Sequence, residues 1–220
     1  MGLHLTLGVL FLTAATWVFA ALAEGLATGE PLTVVDVRFS NWLHAHATSS
    51  LTVVMLLITN LHSTWGVIIM SLAMSVYLLV RRERHWVFTL LLTVCGGMVL
   101  NVLLKNVFHR ARPHFDNPIL TLTSYGFPSG HTMMATVFYG TLCAFVISRV
   151  RGWHWRALAV VVAIFLVALV GFSRIYLGVH FLSDVLGAMA EGSAWLALCL
   201  TAMETMRRRR LRNKREFVDH

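Results

Sequence analysis

The chain has 220 residues, 57% of them hydrophobic and 13% charged, with a formal net charge of +8 and a mean hydropathy of +0.71. That balance excludes an ordinary soluble domain. It predicts one polytopic helical membrane protein, because a bilayer crossing takes about 20 apolar residues and several uncharged windows are that long. The basic excess brackets those windows, so it reads as membrane topology and not as a nucleic-acid surface.

Span one is predicted over residues 3 to 23. "ALAE", at 21 to 24, has the form of a signal-peptidase site, but no basic residue precedes the apolar run, which favours a retained span. In the connector 24–50, Val34, Val37, Phe39, Trp42 and Leu43 predict a helix lying in the membrane interface, with Trp42 as its anchor. Residues 51 to 80 carry no charge but exceed one straight span. Residues 51–61 read as a partly buried lead-in and 63–80 as span two. "RRERH", 81 to 85, is a turn. Span three covers 86–104, a polar loop 105–128, span four 130–148, span five 156–173 and span six 179–203. The expected fold class is therefore all-α, six transmembrane helices with an interfacial helix between spans one and two. Residues 1–206 form the domain and 207–220 a basic tail. Cys95, Cys143 and Cys199 lie inside apolar runs without pair spacing and read as packing residues.

Sidedness follows from the basic residues. Thirteen of the 18 lie in the turns holding Arg81, Arg82 and Arg84, in those holding Arg149, Arg151 and Arg156, and in the tail. The positive-inside rule puts these and both termini in the cytoplasm. Arg38, Lys105, Arg110, Arg112 and Arg174 then face outward, with the connector, the 105–128 loop and the turn near 174.

Three clusters on that outer side could do chemistry. In "SRIYLGVHFLSD", His180 and Asp184 are four apart at the start of span six, and so share a helix face. A carboxylate there fixes the imidazole tautomer and leaves the other nitrogen as a base or nucleophile. Taken alone, the pair also fits an ordinary interfacial contact at a helix end. In "PSGH", Ser129 and Gly130 open span four, where unpaired N–H groups bind anions and His131 adds a titratable proton. A plain capping turn is the other reading. Lys105 and Arg112 flank a short loop, and Arg174 arrives from span five. Such cations hold phosphate oxygens, or else anchor lipid headgroups. Together the clusters form a phosphoryl-transfer kit in which cations take the place of a metal.

In order, K-x6-RP (105–113), PSGH (128–131) and SR-x5-H-x3-D (173–184) resemble the signature of the type-2 phosphatidic acid phosphatase superfamily. The resemblance implies a phosphatase that uses neither metal nor cofactor and works through a phosphohistidine. It implies His180 as nucleophile, Asp184 orienting it, and His131 as the acid for the leaving group. Lys105, Arg112, Arg174, Ser129 and the Gly130 amide would hold the phosphate. No position departs from the pattern. It further implies a bacterial inner-membrane enzyme acting on a lipid phosphate in the bilayer, and the count of basic residues turns its site to the periplasm or exterior. The resemblance does not choose among lipids; undecaprenyl pyrophosphate, with broad tolerance of lipid phosphates, is the first expectation. Phosphatidylglycerophosphate, phosphatidic acid and lipid A phosphates are the alternatives.

His62, at the outer end of span two, and His109, Arg110 and His114 in the loop are surface residues or contacts to a second phosphate. Glu191, two turns below Asp184, is an intramembrane carboxylate that suggests function, or else a structural bond to Ser193 or a neighbouring helix. Transfer of the phosphoryl group to another lipid is a second class of function. A vanadate-dependent haloperoxidase and a non-enzymatic carrier fit the chain poorly.

Overall fold

The computed structural model describes residues 2–29 and 31–216. Within them the chain forms α1 (Gly2–Thr28), α2 (Pro31–Ala45), α3 (Ser49–Leu61), α4 (Thr64–Val80), α5 (Arg84–Phe108), α6 (Gly130–Arg149), α7 (Trp153–Tyr176) and α8 (Leu182–Glu216), and no strand. Five helices are long and apolar enough to cross a membrane, and the pair α3–α4, bent by 55°, makes six when it is counted as one broken span. The protein is a multi-pass membrane protein.

The bend has a local cause. Ser63 caps α4, its Oγ accepting from the Gly66 amide at 3.2 Å. A Cβ on Gly66 would stand 2.0 Å from the Leu61 carbonyl oxygen, so only glycine lets the two helices meet at that angle. With 17 residues, α4 spans roughly 26 Å, short of a hydrocarbon core of about 30 Å. A crossing at this point therefore needs the lead-in 51–61 as well as α4.

At the centre, α6 is enclosed by α4, α5, α7 and α8, while α1 lies along α8. Its buried run Thr132–Phe138 packs on Val67, Leu78, Val87, Leu90 and Val94. A second core, Leu43, Met55, Ile175, Tyr176, Leu177, Val179 and Val185, underlies the turn between α7 and α8. Large apolar side chains such as Trp17, Val80, Phe88, Ile164 and Phe165 point outward, as the lipid-facing surface of a bundle requires.

Two placements differ from the expectation. Cys95 is exposed, so it faces outward and does not fill the core; Cys143 is half-buried and Cys199 buried, all three free thiols. The segment 207–216 continues α8 without a break. The 35 residues of α8 reach roughly 52 Å, far more than a bilayer core, so its basic end projects past the membrane. Residues 217–220 lie outside the described residues. At this end Arg149 pairs with Glu83, joining the two basic turns.

Candidate active site

At the opposite end, α2, the segment after α5, the PSGH turn and the α7–α8 turn converge. That last turn depends on Gly178, with φ +70, where a Cβ would lie 2.9 Å from the Phe115 ring. It presents His180, which is 1% exposed. Nδ1 of His180 faces Asp184 Oδ2 at 3.4 Å, a long contact, and the same oxygen accepts from the Phe181 amide at 2.9 Å. With Nδ1 turned to a carboxylate, Nε2 carries the lone pair. Burial above all, and then the charges of Arg112, Arg174 and Lys105, hold this imidazole well below its ordinary range, so it is neutral.

Arg112 covers the Nε2 edge, its Nη1 3.1 Å away. Its guanidinium is fixed by the carbonyls of Val179 (2.6 Å), Ser124 (2.6 Å) and Tyr125 (3.0 Å). Burial lowers its pKa from the free value, and the carboxylate of Asp184 opposes that shift. Lys105 Nζ donates to the Tyr125 carbonyl at 2.8 Å. Arg174, 1% exposed, reaches Thr59 Oγ1 from α7, and its Nε–H has no partner among the described residues. A buried cationic donor left open is suited to receive an anion, since leaving it unpaired is costly.

The PSGH turn supplies the facing wall. Ser129 stands at the N-cap of α6, but its side chain caps nothing. Its Oγ accepts from Thr132 at 3.1 Å, and its amide donates to the Asp184 carbonyl at 3.1 Å, which staples α6 to α8. A plain capping turn therefore does not describe Ser129. Gly130 opens the helix beside Asn101 Oδ1 and Lys105 Cε. His131 is half-buried and lies within electrostatic reach of Arg174, His180, His62 and Arg112. Lys105, Arg112, Ser129, Gly130, His131, Arg174, His180 and Asp184, spread over three segments of sequence, are thus neighbours.

The remaining polar candidates, His62, His109, His114 and Glu191, have different surroundings. His62 stands where α4 begins, as its C-cap position on α3 shows, but it is not at the surface. It lies at the α3–α4 break, 5% exposed, with Nδ1 on the Ile58 carbonyl at 2.8 Å and Nε2 on Tyr139 Oη at 2.6 Å. It reaches a substrate only by giving up one of these bonds. His109 is exposed and packs edge-on against Tyr125. His114 lies on the rim of a cleft of about 260 Å³ that Arg112, Phe115 and Gly178 also line. Glu191 accepts from Asn101 Nδ2 of α5 at 2.9 Å, so its bond goes to the neighbouring helix and not to Ser193.

Sequence reasoning missed Asp36 and undervalued Arg110. Arg110 is no surface residue: Nη1 binds Asp184 Oδ1 at 2.5 Å and Ser183 Oγ at 2.6 Å, and Nη2 binds Asp36 Oδ2 at 2.7 Å. Asp36 Oδ1 accepts from the Ser183 amide at 2.9 Å, and Ser183 Oγ donates to Asp36 Oδ2. The buried stripe of α2 is Asp36, Ser40 and Leu43, spaced i, i+4, i+7. An acid on such a stripe was the available signal.

Fold and site together define a polytopic helical membrane protein with two histidines set among three cations and a helix N-terminus. The chain belongs to the PAP2 superfamily, which it matches over residues 86–208. It is 37% identical to phosphatidylglycerophosphatase B of Bacillus subtilis (strain 168) over 113 residues, 50% of this chain and 55% of that protein. To the undecaprenyl-diphosphatase of Sulfolobus acidocaldarius it is 29% identical over 136 residues, 60% of this chain and 61% of the relative. The matched region thus spans little more than half the length of these curated relatives. The crystal structure of a transmembrane PAP2 type phosphatidylglycerolphosphate phosphatase from Bacillus subtilis superposes with a TM-score of 0.81 at 27% identity, covering 89% of this chain and 96% of that one.

Proposed function

We propose that the protein is a metal-independent lipid phosphate phosphatase that works through a phosphohistidine. The observation that carries this is the setting of His180, with Nδ1 on a carboxylate and Nε2 toward a cluster of cations. In the first step Nε2 attacks phosphorus in line, an N–P bond forms, and the P–O bond to the lipid breaks. His131, protonated, gives its proton to the departing oxygen. Lys105, Arg112, Arg174, Ser129 and the Gly130 amide neutralise the equatorial oxygens. The phosphate in turn brings the negative charge that an imidazolium at His131 needs beside those cations. In the second step His131 takes a proton from water, which attacks phosphorus and frees His180 and inorganic phosphate.

By the positive-inside rule the basic turns and both termini are cytoplasmic, and the site opens to the outer face of a bacterial inner membrane. A substrate with an apolar tail enters from the outer leaflet. Undecaprenyl pyrophosphate is the preferred substrate, its second phosphate meeting the Arg112 and His114 side of the 260 Å³ cleft. Similarity in sequence and in structure to phosphatidylglycerophosphate phosphatase of Bacillus subtilis favours that lipid as a second reading. The test is phosphate release by purified protein in detergent with EDTA, on undecaprenyl pyrophosphate, phosphatidylglycerophosphate, phosphatidic acid and a lipid A phosphate, beside His180→Ala. Release that survives EDTA and vanishes in the variant supports the mechanism and ranks the lipids. Release that persists in the variant overturns the nucleophile. No release from any lipid shifts the reading to phosphoryl transfer with an acceptor.

A further inference from the structure

Asp184 aims its carboxylate at His180, yet the 3.4 Å contact between them is too long to hold the carboxylate in place. Two stronger bonds hold it. The Phe181 amide takes Oδ2 at 2.9 Å, and Arg110 takes Oδ1 at 2.5 Å. Arg110 is itself held. Its second amino group binds Asp36 at 2.7 Å, and its guanidinium lies 4.7 Å over the Phe181 ring. Both carboxylates are fully buried and Arg110 is nearly so, with side-chain exposures of 0%, 0% and 16%. Asp36 meanwhile takes the Ser183 amide in the first turn of α8. It thereby satisfies, from another helix, a donor that the first turn leaves unpaired. The helix that carries Asp184 is pinned by the same residue that pins Arg110.

We propose that Arg110 is a positioning residue of the reaction and that Asp36, on α2, is its anchor. This rests on the phosphohistidine reading above. The fork of Arg110 fixes the carboxylate plane so that Oδ2, and not Oδ1, meets Nδ1 of His180. Neither residue touches the phosphate. Their loss therefore acts on turnover, whereas loss of Lys105 acts on phosphate binding as well. A lysine cannot replace Arg110, because one ammonium cannot span two carboxylates with fork geometry.

The experiment uses the full chain in detergent and whichever of the four lipids the wild type hydrolyses fastest. Arg110→Gln, Arg110→Lys, Asp36→Asn and the double variant Asp36→Asn/Arg110→Gln are assayed across pH, with size-exclusion elution and unfolding temperature recorded for each. Arg110→Gln should lower kcat about 100-fold with KM within about threefold, and Arg110→Lys should not rescue it. On the acid side its rate should fall away at higher pH than in the wild type, because the orienting carboxylate has lost its counter-charge. Asp36→Asn, which keeps an acceptor for the Ser183 amide, should cost about tenfold. The double variant should be no slower than Arg110→Gln, since both act through one chain of contacts. Losses that multiply in the double variant, or a folded Arg110→Gln with wild-type kcat and pH profile while His180→Ala is dead, overturn this inference alone. Activity retained in His180→Ala, or a wild type inactive on all four lipids, overturns the underlying mechanism and this inference with it.

Discussion

Arg110 and Arg112 are two residues apart, yet they reach opposite edges of His180. Arg110 grips the carboxylate behind Nδ1 at 2.5 Å from Asp184 Oδ1, and Arg112 stands 3.1 Å from Nε2. The cation behind the ring is matched by two carboxylates, Asp36 and Asp184. The cation in front has no acid within ion-pairing distance among the described residues. Adjacent positive charges thus have different surroundings: one is matched by two carboxylates, and the other by none among the described residues.

The protonation of His180 has a consequence for stability. Burial first, and then Arg112, Arg174 and Lys105, keep it neutral well below its ordinary range, while in the unfolded chain it titrates near pH 6.5. Below that pH the unfolded chain binds a proton that the folded chain refuses. Stability is fully present above about pH 6.5 and falls as the pH drops, by up to about 1.4 kcal/mol per unit. The unfolding temperature in detergent should decline from about pH 6.5 to about 4.5, and decline less in His180→Gln. Identical slopes in the two proteins would count against a neutral buried His180.

Turnover should show a bell-shaped pH profile, because His180 must start neutral and His131 protonated. His131→Gln should cost about 10²–10⁴-fold in kcat, the usual weight of a general acid. The loss should shrink with a lipid analogue whose leaving group needs no proton. A profile flat from about pH 5 to about 9 would contradict these roles.

Arg174→Lys should lower kcat/KM about 10²–10³-fold, the range for losing one preorganised donor. The open Nε–H and the bond to Thr59 both belong to a guanidinium, and an ammonium supplies neither geometry. Steady-state kinetics on folded protein settle this, and a drop of less than about fivefold would remove Arg174 from the phosphate site.

Gly66→Ala should destabilise the fold without touching the chemistry. Its Cβ would meet the Leu61 carbonyl oxygen at 2.0 Å, which forces the backbone at the bend to shift at a cost of about 1–3 kcal/mol. A lower unfolding temperature with unchanged kcat is the expected result, and an unchanged unfolding temperature would show the bend to be soft.

Much of this molecule is legible in the sequence because its signals are local. Runs of apolar residues mark the spans, and the spacing of His180 and Asp184 marks their shared face. What escapes depends on distant partners. Asp36 sits among Val34, Val35 and Val37, all of them exposed, and nothing nearby in sequence hints that its oxygens reach α8. Arg110 reads as a loop residue because the two carboxylates that claim it come from α2 and α8. The depth of His62 is hidden because a bend at Gly66 depends on three-dimensional fit, which hydropathy does not encode. The helical basic end escapes for another reason: charge marks a membrane boundary, whereas helix continuation depends only on backbone bonds.

The bond between Asp36 and Ser183 joins residues 147 positions apart. During synthesis Asp36 is made before Arg110 and long before Ser183. Until α8 is made, the chain holds Lys105, Arg112, Arg174 and His131 but not Asp184, which α8 carries. A half-inserted copy therefore lacks the His180–Asp184 pair. The pair is completed only when the last helix docks and Asp36 closes on its first turn.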